Sequence, residues 1–315
     1  MLTRQMSAAE AEAVAALPPQ PGILSLSGPD IVVEFAAERM RPEWSWVAGD
    51  DQGRIIGRAL WWGRDGSRPL ALDVLDVDVP KPQQEVIGKM LLRAGHAGLA
   101  RLGHESPLAY TVRLPNEWHN RSDSKAAVAW RIAAARQSGL ILANERLQLE
   151  WIPCRSCQPD QSPAGRLTFR PDDDAEFVEL FAETAQGSLD VMTRRSLATR
   201  PAQELAVDEL DYYRSCPGER DWWQVATGSE GVTVGFVIPS ATPYNRNVGY
   251  LGVLPHHRGH GYVHELLQFV TRFHAASGAT RITATTDADN IPMATAFVCG
   301  GYDVVERRLD IEPAP

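Results

Sequence analysis

The chain has 315 residues, of which 44% are hydrophobic, and a formal net charge of −9 from 31 basic and 40 acidic side chains. This length suffices for about two domains with buried cores. The acidic balance and the lack of a basic stripe argue against a nucleic-acid partner, and no apolar run reaches the roughly 18 residues that a membrane helix needs.

Cysteine usage and the first residues concern the cellular compartment. Four cysteines in 315 residues are few, and the first ten residues lack the apolar core of a signal peptide, so we expect a cytoplasmic protein. Cys154 and Cys157 form one Cys-x-x-Cys pair. A zinc half-site or a redox pair is conceivable, but no second pair or set of histidines follows. We favour the interpretation that these two cysteines are incidental thiols in a linker.

The first half of the chain predicts an α/β unit. Helices are expected from residues 7 to 17, 31 to 40, 83 to 100 and 124 to 138. Strands are expected at 44–48, 55–62, 70–79, 108–114 and 140–151, the last as one long strand or a pair. Residues 153–165 contain three prolines and few apolar side chains, which is typical of a linker. The predicted domains are therefore 1–152 and 166–315.

The second half begins with a short strand at 167–170 and an apolar helical pattern around Phe177. Asp172, Asp173 and Asp174 precede that helix and are interpreted as a charge cap rather than a metal site. Residues 187–193 are expected to form a loop before a helix at 195–205. A hairpin is predicted from the strands 222–227 and 232–239.

A strand, a glycine-containing turn and a helix then follow one another. The apolar strand 250–254 leads into a turn with Arg258, Gly259 and Gly261, and the next apolar residues recur at helical spacing. A helix start exposes unpaired N–H groups and a partial positive charge, and glycines let the backbone approach a phosphate. The pattern predicts a pyrophosphate site, although such a turn alone is also common in proteins without one.

This stretch resembles the acetyl-CoA motif of the GNAT superfamily of N-acetyltransferases, Arg/Gln-x-x-Gly-x-Gly/Ala. The matching residues are Arg258, Gly259, His260, Gly261 and Tyr262, whereas Val263 stands where a small residue is expected. A second family feature follows, because Asn290 opens a helix that ends at Gly300-Gly301-Tyr302. The resemblance covers about the last half of the chain and implies a GNAT-type mixed sheet flanked by helices, α/β in class.

The two halves align with each other, which predicts two similar domains in tandem. Ser138-Gly139-Leu140 matches Gly300-Gly301-Tyr302, and Pro80 matches Pro255, which brings Leu91-Leu92 onto Leu266-Leu267. In this alignment residues 83–86 stand opposite 258–261, so the arginine and both glycines are missing from the first copy. We expect the first domain to be degenerate and the second to bind the cofactor.

The resemblance also implies roles for individual residues. Acetyl-CoA would be the co-substrate, with its pantetheine between the splayed fourth and fifth strands. The implied cofactor-binding residues are Leu251, Gly252, Val253, Arg258, Gly259, His260, Gly261, Tyr262, Val263 and Asn290. Asn290 is equally explained as a helix cap.

The catalytic groups are less defined. Phe297 occupies the position where the family frequently has a tyrosine acid, and we expect it at the edge of the cleft. Tyr250 is the titratable residue of the preceding strand and is either a catalytic candidate or aromatic packing. His256, His257, His260 and His264 border the turn, and a phosphate-site or solvent role is favoured over metal binding, since no Glu or Cys completes a metal pattern.

The predicted function is transfer of an acetyl group to the primary amine of a small molecule. The net charge and acidic loop residues such as Asp190, Glu219 and Asp221 favour a cationic acceptor. A non-catalytic acyl-CoA-binding protein and a protein N-acetyltransferase are the alternatives. No metal, nucleic acid or membrane partner is expected, and the sequence leaves a homodimer open.

Overall fold

The computed structural model describes residues 2–104, 106–153 and 165–314. The linker prediction and the Cys154–Cys157 pair fall almost wholly on 154–164, outside the described residues. The chain divides into two compact units, of which unit 1 is Met1–Glu145 with Glu306–Ala314 and unit 2 is Arg146–Val305. The units are thus not the two continuous halves of the sequence. The described helices include none that is long and apolar enough to cross a membrane.

Unit 1 is a mixed sheet flanked by helices. Its strands are β1 (Leu2–Gln5), β2 (Met40–Gly49), β3 (Ile55–Trp62), β4 (Ala71–Val77) and β5 (Tyr110–Leu114). Its helices are α1 (Ala11–Ala15), α2 (Gly28–Ala36), α3 (Lys81–Arg101) and α4 (Ser122–Arg136), with 3-10 turns at Ala8–Glu10 and Trp118–Asn120. β4 and β5 are parallel, and the other pairs along the sheet are antiparallel.

Unit 2 repeats this order of elements with one more helix between its first two strands. Its strands are β7 (Thr168–Arg170), β8 (Gln224–Thr227), β9 (Thr233–Ala241), β10 (Arg246–Val253) and β11 (Ile282–Asp287). Its helices are α5 (Asp174–Ala185), α6 (Val191–Leu197), α7 (Ala202–Ser215), α8 (Tyr262–Ala276) and α9 (Ile291–Cys299), with 3-10 turns at Arg220–Trp222 and Pro255–His257. β10 and β11 form the parallel pair.

The strands β6 (Leu140–Trp151) and β12 (Asp303–Pro313) explain why the units are discontinuous. Residues 146–151 of β6 pair antiparallel with β11 in unit 2, and residues 307–311 of β12 pair antiparallel with β5 in unit 1. The last strand of each half of the sequence therefore completes the other unit. Gly139 and Gly301, which precede these strands, both have positive φ, at 92° and 82°, so the aligned glycines serve the same turn.

The core of each unit lies between its sheet and its helices. Leu91 and Leu92 of α3 are fully buried, as are Leu266 and Leu267 of α8, which agrees with the alignment of the two halves. On the other face of the unit 2 sheet, α5 and α7 pack with the aromatic rings of Phe181, Phe236 and Tyr250. The predicted fold, a mixed sheet flanked by helices that occurs twice, is confirmed.

Several predicted bounds are wrong. The helix expected at 31–40 is Gly28–Ala36, because Ser27 caps its start and Met40 already belongs to β2. The loop expected at 187–193 and the helix at 195–205 are replaced by α6 and α7. Asp190 accepts a hydrogen bond from the Thr193 amide and starts α6 early. Pro201 then separates the two helices.

Candidate active site of unit 2

The turn between β10 and α8 has the backbone that its glycines require. Gly259 and Gly261 have φ of 81° and 75°, a left-handed region that residues with a Cβ rarely adopt. A Cβ built on Gly259 meets nothing within 4 Å, and one on Gly261 meets only side-chain atoms at 3.9 Å. The surface above both glycines is therefore open. A ligand can approach the backbone here without displacing protein atoms.

The first turn of α8 faces this open surface. Gly261 is the N-cap residue and supplies no side-chain cap, so the N–H groups of the first helical residues, Tyr262 and Val263, are left for another acceptor. These N–H groups and the helix dipole together favour an anion. Val263 occupies the second helical position and is half-buried.

The Arg258 side chain is bound to the protein backbone. Its guanidinium donates hydrogen bonds of 2.7–3.0 Å to the carbonyl oxygens of Val253, Thr184, Gln186 and Gly187. Four of the five N–H donors of an arginine are thereby engaged. Arg258 fastens the turn to the end of α5 and stands behind the glycines as a fixed charge.

Arg166 is a cation of this turn that the sequence analysis missed. Its guanidinium lies 4.4 Å from the centroid of the Tyr262 ring, pairs with Glu265 at 2.6 Å and donates to the His260 carbonyl at 3.0 Å. One of its terminal nitrogens is the atom 3.9 Å from a Cβ built on Gly261. The residue directly follows the predicted linker, and no local pattern connects it with a turn almost a hundred residues later.

The parallel strands β10 and β11 separate towards their C-terminal ends. Their paired register consists of Arg246 with Ile282 and Asn247 with Thr283, although β10 continues to Val253 and β11 to Asp287. The strand edge at Leu251, Gly252 and Val253 therefore borders an opening in the sheet. Backbone N–H and C=O groups along such an edge are able to pair with the amides of an extended ligand.

Glycines also shape β10 itself. A bulge separates Asn247 from Tyr250 in the pairing with β9. Gly249 in this bulge has φ of 70°, and a Cβ there would lie 2.1 Å from the Ile238 carbonyl oxygen. The Gly249 carbonyl accepts a hydrogen bond of 3.3 Å from the hydroxyl of Tyr213 on α7. The bulge thus connects the middle of β10 to α7.

Tyr250 follows the bulge and packs on aromatic rings, stacked on Phe236 at 5.1 Å and edge-on to Phe181 at 5.0 Å. Burial raises the pKa of its hydroxyl well above the ordinary value, and the carboxylates of Glu209 and Asp190 raise it further. The phenol therefore keeps its proton at neutral pH. It is suited to donate a hydrogen bond and unsuited to act as a base.

Glu209 on α7 is a second group that the sequence analysis missed. Burial raises the pKa of its carboxyl group to about 7, and the negative charges of Asp190 and Asp208 add to this effect, while Arg146 opposes it. A carboxyl group with this pKa is partly ionised at neutral pH. The sequence carried no signal for it, because Glu209 reads as one of several acidic residues on a solvated helix.

Two predicted site residues have structural contacts of their own. The Asn290 side chain caps α9 by accepting a hydrogen bond of 3.4 Å from the Met293 amide. Phe297 is 3% exposed and packs edge-on against Tyr302, with ring centroids 5.2 Å apart. Phe297 was expected at the edge of a solvent-filled cleft, and this expectation is wrong. Its position in α9 directs the ring into the core between α8, α9 and the sheet.

The histidines lie around the turn without forming a cluster of ligands. His260 and His264 are exposed, and the His260 ring approaches the carbonyl oxygen of Arg258 at 2.9 Å. Within the described ranges, no three His, Cys, Asp or Glu side chains are placed together as a metal site requires.

Comparison with known proteins agrees with this geometry. Residues 190–300 match the model of the acetyltransferase (GNAT) family. The chain contains a GNAT domain. The matched range starts at the N-cap of α6 and ends at the turn after α9, so it includes the opening between β10 and β11 and the glycine turn. This match supports an acyltransferase activity for the protein.

Solved structures show that the GNAT fold extends over the whole chain. A GCN5-related N-acetyltransferase from Sphaerobacter thermophilus is 18% identical with a TM-score of 0.59, covering 100% of this chain and 96% of that one. The glucosamine N-acetyltransferase region of a fungal multi-domain GH3 β-N-acetylglucosaminidase is 15% identical with a TM-score of 0.56. It covers 98% of this chain, which spans 38% of that one. A comparison with curated proteins gives no match.

Proposed function

We propose that the protein transfers an acetyl group from acetyl-CoA to the primary amine of a small, cationic molecule, and that unit 2 holds the cofactor. The observation that carries the proposal is the joining of an open glycine turn to an opening between parallel strands. The backbone of residues 259–263 would hold the pyrophosphate, and the edge of β10 at Leu251, Gly252 and Val253 would pair with the pantetheine amides.

Further cofactor contacts are assigned by position. Arg166 supplies a positive charge beside the turn, since it is half-exposed and its ion pair with Glu265 is a surface pair. Arg258 holds the turn in place through its hydrogen bonds to backbone carbonyl groups and adds a positive charge behind it. Asn290 lies at the start of α9, next to the end of β11, where it would contact the pantetheine through the groups that its capping bond leaves unused.

The cationic acceptor is supported by negative groups on α6 and α7. Asp190 and Glu209 both raise the pKa of the Tyr250 hydroxyl, and Asp208 adds negative charge beside Glu209. Glu219, by contrast, lines a cavity together with the positively charged side chains of Arg214 and Arg220. The preference for a cation is therefore assigned to Asp190 and Glu209, and it should weaken with ionic strength.

The test is release of CoA from acetyl-CoA in the presence of a panel of amines. The panel contains polyamines, aminoglycosides, glucosamine, an anionic amino acid and a lysine-containing peptide. We expect turnover with a small cation and a Michaelis constant that rises with salt. Turnover with the peptide alone would favour a protein acetyltransferase. Tight binding of acetyl-CoA without turnover of any amine would favour a non-catalytic acyl-CoA-binding protein.

A further inference from the structure

Glu209 lies one helical turn before Tyr213 on α7. The Tyr213 hydroxyl donates to the Gly249 carbonyl in the β10 bulge, at 3.3 Å, and residues four apart lie on the same face of a helix. The Glu209 side chain therefore projects from α7 on the face that meets the middle of β10. The carboxylates of Glu209 and Asp190 both raise the pKa of the Tyr250 hydroxyl, so both lie near the middle of β10.

The position of Asp190 is fixed by β11. Asp287 at the end of β11 is 1% exposed and accepts a hydrogen bond of 2.6 Å from the Val191 amide at the start of α6. Asp190, the N-cap of α6, is thereby held next to β11, and it also acts on Glu209. Glu209 thus lies between the middle of β10 and the segment tied to β11, and these are the two strands that border the opening.

The carboxylate of Glu209 has no hydrogen-bond or ion-pair partner among the described residues, although it is half-buried. Asp208, the preceding residue on α7, instead pairs with Arg200 at 2.6 Å on the solvent side. A carboxylate that is partly removed from water and left without a donor is costly. Such an arrangement is typical of a group whose partner is a ligand.

We propose that Glu209 is the general base of the reaction, and this inference rests on the proposed function. The amine nitrogen attacks the thioester carbonyl carbon, forming the C–N bond, and Glu209 takes one proton from the nitrogen. The C–S bond breaks with its electron pair going to sulfur, and the thiolate takes a proton from water. Tyr250 stays protonated throughout and hydrogen-bonds to the reacting groups.

The charged and titratable groups around Glu209 come from every element that faces it. They are Asp208 and Tyr213 on α7, Asp190 on α6, Tyr250 on β10 and Arg146 on β6. The carboxyl pKa of about 7 suits a base at neutral pH, because part of the population is then ionised and the carboxylate is still basic enough to take a proton. Turnover should therefore rise with pH through about 7.

The experiment compares Glu209→Gln, Glu209→Asp and the control Asp211→Asn in steady-state assays from pH 5.5 to 9, using the best amine of the panel. Asp211 is an exposed carboxylate on the same helix. We expect Glu209→Gln to lower kcat by about 10²–10⁴-fold and to remove the limb near pH 7, with acetyl-CoA affinity unchanged. Glu209→Asp should restore part of kcat, and Asp211→Asn should match the wild type.

The outcomes separate the two proposals. If the wild type acetylates an amine and Glu209→Gln keeps both kcat and the limb near pH 7, the base is another group and this inference is overturned. A loss confined to the KM of the amine would assign Glu209 to acceptor binding and would also overturn it. If the wild type acetylates no amine, the proposed function fails and the inference fails with it.

Thermal unfolding gives a readout of the carboxyl group that does not depend on activity. A carboxyl pKa raised in the folded state means that the folded chain binds the proton more tightly than the unfolded chain. Stability is therefore lost as pH rises from about 4.5 through about 7. Glu209→Gln should be as stable as the wild type at pH 4 and more stable at pH 8. If the wild type and Glu209→Gln differ in stability by the same amount at pH 4 and at pH 8, the raised pKa assigned to the Glu209 carboxyl group is contradicted.

Discussion

The openings between the parallel strands of the two units differ in what fills them. In unit 1, β4 and β5 pair at Leu72 with Tyr110, and the chain itself then enters the gap. The Leu24 amide donates to the Arg113 carbonyl of β5 at 2.8 Å, and the Ser25 hydroxyl donates to Asp76 of β4 at 3.2 Å. The same fold thus closes one opening with its own backbone and leaves the other bordered by a free strand edge.

The helix that follows the first parallel strand also begins differently in the two units. In unit 2 a glycine turn precedes α8, whereas in unit 1 α3 begins directly after Pro80 and has Pro82 in its first turn. Residues 83–86, which align with the glycine turn, lie inside α3 rather than before it. A duplicated fold can therefore keep its core while the first copy loses both the turn and the space for a ligand.

A buried ion network stabilises the closed opening of unit 1. Asp76, 1% exposed, pairs with Arg58 at 2.7 Å and with Arg131 at 3.5 Å, and both arginines are fully buried. Arg58 also donates to the Val14 carbonyl at 2.6 Å, and Arg131 to the Leu75 carbonyl at 2.9 Å. Breaking one member leaves buried charge without compensation.

The largest effect is expected for Asp76→Asn. The substitution leaves two buried guanidinium groups without their carboxylate, which costs about 3–5 kcal/mol of unfolding free energy. Urea unfolding measures the loss, and Asp123→Asn, in an exposed pair with Arg121, should lose far less. If unit 1 holds no cofactor, the folded variant binds acetyl-CoA as the wild type does. Weaker binding would mean that the closed opening contributes to the site.

The second effect concerns the glycine turn. Gly261 and Gly278 stand at the two ends of α8, with φ of 75° and 81°, so valine strains both positions alike. A Cβ at Gly261 additionally enters the space where the backbone would meet the pyrophosphate. We expect Gly261→Val to weaken acetyl-CoA binding at least 100-fold, about 2.7 kcal/mol.

Gly278→Val is the matched control, and calorimetric titration of both variants measures the difference. Gly278→Val should lose similar stability and keep its affinity. Equal affinities of the two variants for acetyl-CoA would show that the turn only starts α8 and does not bind the cofactor.

A smaller effect tests how far the opening of unit 2 extends. Phe297 is buried against Tyr302, so the hydroxyl of Phe297→Tyr would be removed from water without a partner. This costs about 1–3 kcal/mol, and we expect no gain in turnover. Phe273→Tyr, at a half-buried ring on α8, should lose less stability. A rise in turnover with Phe297→Tyr would show that the opening reaches α9.

Local patterns in the sequence predicted the glycine turn, the strands beside it and the repeat of the fold. Gly259 and Gly261 were recognisable because the backbone conformation that they allow is rare for other residues. The exchange of β6 and β12 between the units was not predictable from these patterns. Both strands carry the same alternation whichever sheet they join, since alternation specifies a buried face and not a partner.

The parts of the site that local patterns missed depend on contacts distant in sequence. Arg166 reaches the turn through His260 and Glu265, and Glu209 reaches β10 through the packing of α7. The backbone contacts of Arg258 were not predictable for the same reason, since its acceptors at residues 184–187 lie far from the motif. Sequence spacing locates groups on one element, and the facing element decides what those groups do.

The central claim is that unit 2 alone binds acetyl-CoA, and the stoichiometry of binding tests it most directly. Calorimetric titration of the full chain with acetyl-CoA should give one site per chain, and Gly261→Val should remove it. Two sites of similar affinity per chain, or one site that survives in Gly261→Val, would contradict the claim.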